Sequence, residues 1–314
     1  MSLRVVKPTL RKHAERLAVK IARNLPGRPA LRSLLLARWQ RRLVPFDLHE
    51  LAQTTLVVAP HPDDETLGCG GTIALKRRHG ARVVVVVLTD GARSHTRTTP
   101  AAEMKRRRGH ECEDATSTLG VPARDVIQLD FPDGALWSHR AEASRRLGAV
   151  IADLAPTQIF LPHADEPPVD HRAAHDVGLA ALTSAQLARS PAVFAYPVWL
   201  WWQWPWVSLS ADEATGHEIL LASWRSRLGT TWLRTFDRAV LTDEVLEVKR
   251  AALGAYVSQM TQPAGAHDWP TLGAVSDGTF LQCFFERCEP FATLSPGASG
   301  KPWGALAASA SIVL

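Results

Sequence analysis

Four cysteines in 314 residues, Cys69, Cys112, Cys283 and Cys288, are too few and too scattered to staple a chain of this size, and none forms a CxxC pair. A disulfide scaffold is thereby excluded, and a reducing compartment is the simpler inference. No apolar run approaches the ~20 residues needed to cross a bilayer, and the N-terminus shows no apolar core followed by a small-residue cleavage site, so a cytoplasmic location is expected. No GxSxG elbow, no P-loop and no internal repeat is present. What remains, at 46% hydrophobic and 21% charged residues, is an ordinary globular composition, read as one main domain with appendages.

Charge is unevenly spread. Residues 1–45 hold 12 Lys and Arg against Glu15 alone, a net of +11, so in a chain of +5 the remainder is −6. Leu10, Ala14, Leu17 and Ile21 recur at helical spacing, as do Leu31, Leu35 and Trp39, with basic residues between. Two readings of this arm stand: helices held against an anionic membrane surface, making the protein peripheral to it, or helices docked on the domain with a solvated basic face. Nucleic acid is not an expected partner, because the arm lacks interleaved aromatics and a recognisable module.

After the arm, apolar strand-like runs alternate with helix-like ones. Thr55–Ala59, Arg82–Leu88, Val126–Leu129, Gln158–Leu161 and Ala192–Val198 read as strands; Gly71–Arg78, Ala101–Leu119, Ala141–Leu154 and Arg172–Leu187 read as helices between them. Strands that are apolar throughout imply burial on both faces, which predicts an α/β fold: a Rossmann-like parallel sheet sandwiched by helices. Beyond Val198 the period degrades. Five tryptophans crowd residues 199–206, some expected to be buried and some to line a pocket, and a helix is expected over Glu244–Tyr256. The predicted organisation is a basic helical arm (1–50), a main domain (51–292) and a weakly ordered Gly/Ala/Ser-rich tail (293–314).

Chemistry concentrates where strands end. Val57-Val58-Ala59-Pro60-His61-Pro62-Asp63-Asp64-Glu65 sets an imidazole and three carboxylates directly after an apolar run, where they need charge compensation that a bound cation supplies. His61 and Asp64 can reach one ion across a Pro-stiffened turn, leaving Asp63 to handle a proton. His171, in Val169-Asp170-His171-Arg172 after a second apolar run, offers the third ligand. Three N/O ligands without thiolate, and a fourth position open, is the pattern of catalytic zinc, one ion per chain. His175 is expected to be structural, and His163 stands as either a support for the ligands or a substrate contact. Gly68, Gly70 and Gly71 are read as close packing of a helix on the sheet rather than a dinucleotide loop, since three carboxylates precede them.

The His61-Pro62-Asp63-Asp64-Glu65 segment, the later Asp170-His171-Arg172-Ala173 and the intervening Thr89-Asp90-Gly91 together resemble the PIG-L/LmbE-like family of zinc-dependent N-acetylglucosaminyl deacetylases. Smaller echoes are Arg108-x-x-Glu111 with Leu119-Gly120, Phe131-Pro132-Asp133-Gly134-x-Leu136, and Lys249-x-x-Ala252-x-x-x-Tyr256-x-Ser258-Gln259. The resemblance covers about residues 54–260 and implies hydrolysis of an N-acyl group, usually acetyl, from glucosamine carried on a larger aglycone. Zinc on His61, Asp64 and His171 would then polarise the amide, with Asp63 as the base and Asp90, Arg108 and His163 on the substrate side. The chain departs from the family at Pro168, where a histidine commonly helps stabilise the oxyanion. A competing reading is a membrane-associated metal-binding protein of the same fold with reduced or no turnover; the retained Asp63 argues against it.

Overall fold

The computed structural model describes residues 27–95, 97–209, 213–227, 230–265 and 269–295. In chain order these form helix α1 (Arg28–Gln40), strand β1 (Val44–Pro45), the short helix α2 (Leu48–Leu51), β2 (Thr55–Ala59), α3 (Asp64–Arg78), β3 (Val83–Thr89) and α4 (Ala101–Thr118). There follow β4 (Val126–Phe131), α5 (Arg140–Leu154), β5 (Gln158–Pro162), α6 (Val169–Ser184), β6 (Ala192–Tyr196), α7 (Glu213–Arg225), β7 (Arg238–Leu241), α8 (Leu246–Gly254), the single turns α9 (Val257–Met260) and α10 (Thr279–Gln282), and β8 (Cys288–Leu294). Residues 1–26 of the expected arm and 296–314 of the expected tail lie outside the described residues; Thr293 and Leu294 close β8.

Two compact units emerge. One comprises, among the described residues, those of 43–199, 236–271 and 284–295, and contains the whole eight-stranded sheet, ordered β1-β7-β8-β6-β5-β2-β3-β4. Every strand of β2, β3 and β5 is buried along its full length, as the uninterrupted apolar runs require. All neighbours pair in parallel except β8, which runs antiparallel to both β6 and β7. The expected parallel sheet is thus present with one reversed strand. Leu56, Val58, Val84, Val86, Ile159 and Leu161 form one core with Leu147 and Ile151 of α5 and Val177 and Ala181 of α6. Alternate residues serve the other face: Phe160 and Phe194 pack with Phe46 and Phe291. On that face α3 lies so close that a Cβ at Gly68 would stand 2.2 Å from the Tyr196 ring, which accounts for glycine there.

The second unit comprises, among the described residues, those of 27–42, 200–235 and 272–283. Trp39 of α1 makes edge-to-face contacts with Trp201 and Trp232, each at 5.7 Å, and its Nε1 donates to the Leu233 carbonyl at 2.9 Å. Trp201, Trp204 and Trp206 are buried, whereas Trp199 and Trp202 are half-buried. Helix α7 escapes sequence reading for a physical reason. Leu221 (41% exposed) and Trp224 (81%) face solvent while Ile219, of the same size as Leu221, is buried, so hydrophobicity shows no period that marks the buried side. The helix expected over Glu244–Tyr256 is realised as a 3-10 turn at Asp243–Val245 followed by α8.

Candidate metal centre and active site

The carboxyl ends of the parallel strands deliver the polar groups to one place, as a doubly wound sheet does. After β2, Pro60 turns the chain, and the Thr89 amide and hydroxyl at the end of β3 both donate to the Pro60 carbonyl, at 3.0 and 2.9 Å. His61 is fixed by its own successor: the His61 amide donates to Asp64 Oδ2 at 3.0 Å, and His61 Nδ1 lies 3.2 Å from the same oxygen. Asp64 opens α3, where the helix N-terminus favours negative charge. His171, in the first turn of α6, brings Nε2 to 3.3 Å from Asp64 Oδ2.

His61, Asp64 and His171 therefore converge, with one ligand atom of each within 4.8 Å of the others. The residues fit a zinc-type ion on donor chemistry: two imidazole nitrogens, one carboxylate oxygen, no thiolate, and a low-dielectric surround in which buried carboxylates need a cation. The outer nitrogens of both histidines also meet carboxylates. His171 Nδ1 lies 3.1 Å from Glu166 Oε2, and His61 Nε2 lies 3.3 Å from Asp133 Oδ1 and 3.4 Å from Asp170 Oδ2. Such partners fix tautomer and ring orientation in metal centres. Glu166 is itself held by the Val198 and Trp199 amides at 2.8 and 2.7 Å, and Asp170 by those of Gly134 and Leu136 at 2.6 and 3.1 Å.

The electrostatics follow from this packing. Burial disfavours the charged imidazoles, but carboxylates more than offset it, raising His61 well above its usual value and His171 to about 9. Asp64 is held below the ordinary carboxylate range, because the two histidines outweigh its burial. Asp63 goes the other way. Burial above all, then the neighbouring Asp64 and Glu65 charges, push it up to about 7 against the pull of Arg108.

Asp63 also carries the sharpest backbone strain of the site, with φ 122° and ψ −28° at a non-glycine residue. Such a conformation costs on the order of 1–3 kcal/mol and persists only where the surroundings over-determine it. Here its amide donates to Glu65 Oε2 at 3.1 Å, and its carbonyl accepts from the Thr66 and Leu67 amides at 3.0 and 2.9 Å. The buried Arg108 places Nη2 2.9 Å from Asp63 Oδ2 and donates to the Pro62 carbonyl.

The other nominated residues have distinct surroundings. Asp90 Oδ1 accepts from the amides of Ala92 and Asp133 at 3.1 and 3.2 Å, and so braces the loop that carries Asp133. His163 is buried, stacks on Phe236 at 5.3 Å, and accepts the Asp165 amide at Nδ1, 3.1 Å away. His175 bonds the Pro162 carbonyl at 2.8 Å and is driven by burial down to about 4, as befits a structural histidine. Sequence reasoning did not nominate Asp133, Glu166 or Asp170, although each lies just past a strand end like the ligands themselves.

Known proteins resemble this chain over the stretch that carries these residues. A family model described as "PIG-L: GlcNAc-PI de-N-acetylase" matches residues 56–182. Diacetylchitobiose deacetylase of Thermococcus kodakarensis is 33% identical over 138 residues, 42% of this chain; the chain spans half the length of that relative (50%). The 1D-myo-inositol 2-acetamido-2-deoxy-alpha-D-glucopyranoside deacetylase of Rhodococcus erythropolis is 29% identical over 254 residues, 68% of this chain and 84% of that one. In fold the chain is similar to the N,N'-diacetylchitobiose deacetylase of Pyrococcus horikoshii, with TM-score 0.56 and 19% identity over 85% of this chain and 92% of that one. The matched stretch contains every residue of the converging cluster, from His61 to His171, and over it this chain is similar to the PIG-L family.

Proposed function

We propose that the chain is a metal-dependent N-deacetylase, a hydrolase that removes an acyl group, acetyl foremost, from the amine of a glucosamine-type sugar carried on a larger aglycone. The observation that carries the reading is the convergence of His61, Asp64 and His171 beside a strained, Arg108-paired Asp63. Relatives named as deacetylases of N-acetylated amino sugars support the substrate class. Zinc is the proposed ion, one per chain, held by those three residues. When bound, it supplies Lewis acidity to the amide carbonyl and to the attacking water.

The protein's own groups do the rest. Asp63 accepts the proton of the water as its oxygen bonds the acyl carbon, then returns a proton to the nitrogen as the C–N bond breaks, releasing acetate and a free amine. Burial raises Asp63 in the metal-free protein, and so favours its holding a proton as well as taking one. Arg108, Asp90 and His163 are assigned to the substrate side. His163 Nδ1 accepts the Asp165 amide, which in the neutral ring leaves the proton on Nε2. The deciding experiment is metal analysis of purified protein with amine release assayed on a panel of N-acetylglucosaminides. Zinc at one equivalent with release from at least one conjugate supports the reading; a metal-replete protein that releases no amine from any panel member removes it.

No helix among the described residues is long and apolar enough to cross a membrane. The finer part of the proposal, peripheral contact of residues 1–45 with an anionic lipid surface, is supported by charge: Arg38, Arg41 and Arg42 are exposed, and Leu34 is 66% exposed beside them. Each basic residue near such a surface contributes about 1 kcal/mol, so binding should be salt-sensitive. Because α1 packs Trp39 into its unit, the informative truncation removes residues 1–26 only. The full chain should co-sediment with phosphatidylglycerol vesicles at low salt, the truncated chain markedly less, and both should hydrolyse a soluble substrate equally. Failure of the full chain to bind at low salt ends the lipid assignment.

A further inference from the structure

The Tyr256-x-Ser258-Gln259 stretch supplies neither ligand nor base, yet its Tyr256 and Ser258 are buried and bond to buried carboxylates. Tyr256 donates its hydroxyl to Glu65 Oε1 at 2.5 Å, and the Thr66 hydroxyl donates to the same oxygen at 2.5 Å. The other Glu65 oxygen, Oε2, takes the amide of Asp63. Ser258 donates its amide and hydroxyl to the two oxygens of Glu111, at 2.7 and 2.6 Å, tying the stretch to the helix that carries Arg108. Glu65 is fully buried and so is Tyr256, so neither is placed to meet solvent.

Resting on the reading of Asp63 as the base, we propose that Glu65, locked by Tyr256, is the positioning residue of that base: it accepts the Asp63 amide and thereby holds the peptide in the positive-φ conformation that presents the Asp63 carboxylate beside the metal ligands. The third acid of the His61–Glu65 cluster is then neither a ligand nor a reserve base. Its role is geometric, which separates it from a charge or proton role by a simple isostere. In Glu65→Gln the carboxamide oxygen can still accept the Asp63 amide, while its NH2 faces two hydroxyls that can rotate to accept. In Glu65→Leu the acceptor is gone, and a strained peptide loses its partner.

The test compares Glu65→Gln, Glu65→Leu and Tyr256→Phe with wild type by kcat and KM, zinc content, and hydrogen–deuterium exchange of the peptide spanning residues 60–66. Glu65→Gln should keep kcat within about ten-fold, whereas Glu65→Leu should lose on the order of 10² in kcat with KM and zinc nearly unchanged, the effect of displacing a reacting group rather than of lost binding. Exchange in the 60–66 peptide should quicken in Glu65→Leu and not in Glu65→Gln. Tyr256→Phe should show a smaller loss of kcat with the same KM. The proposal is overturned if Glu65→Gln is as inactive as Glu65→Leu, which would mark a proton or charge role, or if Glu65→Leu keeps kcat and merely melts earlier. Should Glu65→Leu not fold, an unaltered kcat in Tyr256→Phe overturns it. The exchange measurement does not depend on turnover, so failure of the base assignment itself, read from Asp63→Asn, remains distinguishable.

Discussion

Asp63→Asn is expected to retain one zinc per chain and to lower kcat by roughly 10² or more, the usual contribution of a positioned general base. The substitution is close to isosteric. Its carboxamide oxygen can still accept from Arg108, now 2.9 Å from Asp63 Oδ2, and the backbone bond to Glu65 is untouched, so the local fold has no reason to change. What disappears is the capacity to take a proton. The wild-type rate should therefore fall as pH drops through the Asp63 value, which burial raises to about 7 in the protein alone and which a neighbouring cation pulls back down by favouring the carboxylate. The sign is fixed: the protonated acid is the inactive form, so the loss is on the acid side, and the residual Asn activity should lack that limb. Activity within a few-fold of wild type at full zinc content would remove Asp63 as the base and turn attention to His163.

How far such a site can be read from sequence depends on whether its partners are close along the chain. His61, Asp63 and Asp64 lie in one turn, and His171 sits at an equivalent strand end, so position after an apolar run was sufficient to nominate them. Glu166, Asp133 and Asp170 follow strands in the same manner, but which ring nitrogen a carboxylate will meet depends on how two loops pack, and no local period encodes that. The Tyr256–Glu65 bond spans 191 positions and is legible only in three dimensions. The same holds for the sheet. Strands β2, β3 and β5 are apolar apart from Thr55, Thr89 and Gln158 and are plain in the sequence, whereas β8 contains Glu289, a charge that reads as surface. In the fold that carboxylate is buried, accepting the Gly71 and Thr72 amides at 2.7 Å each and the Lys249 ammonium at 2.7 Å, so a charged residue marks the interior.

His61→Ala is expected to abolish stoichiometric zinc, and with it turnover, because it removes one of three ligands and leaves Asp64 and His171 to hold the ion alone. A graded comparison makes the test specific. Glu166→Gln removes only the carboxylate 3.1 Å from His171 Nδ1 and should weaken zinc by about 10- to 100-fold without abolishing it. Zinc affinity should also rise with pH. In the metal-free protein both imidazoles are stabilised in their charged form, His61 well above the usual 6.5 and His171 at about 9, so the stability they lend is present below the ordinary histidine value and fades as pH climbs through the raised ones. The ion requires both rings neutral, so uptake at neutral pH must release protons, and apparent affinity should strengthen over the same interval in which that charge pairing is lost. Chelator competition from neutral to alkaline pH, with proton release followed in weak buffer, reads both quantities. An affinity independent of pH, or full zinc retention in His61→Ala, would place the ion elsewhere than on His61, Asp64 and His171.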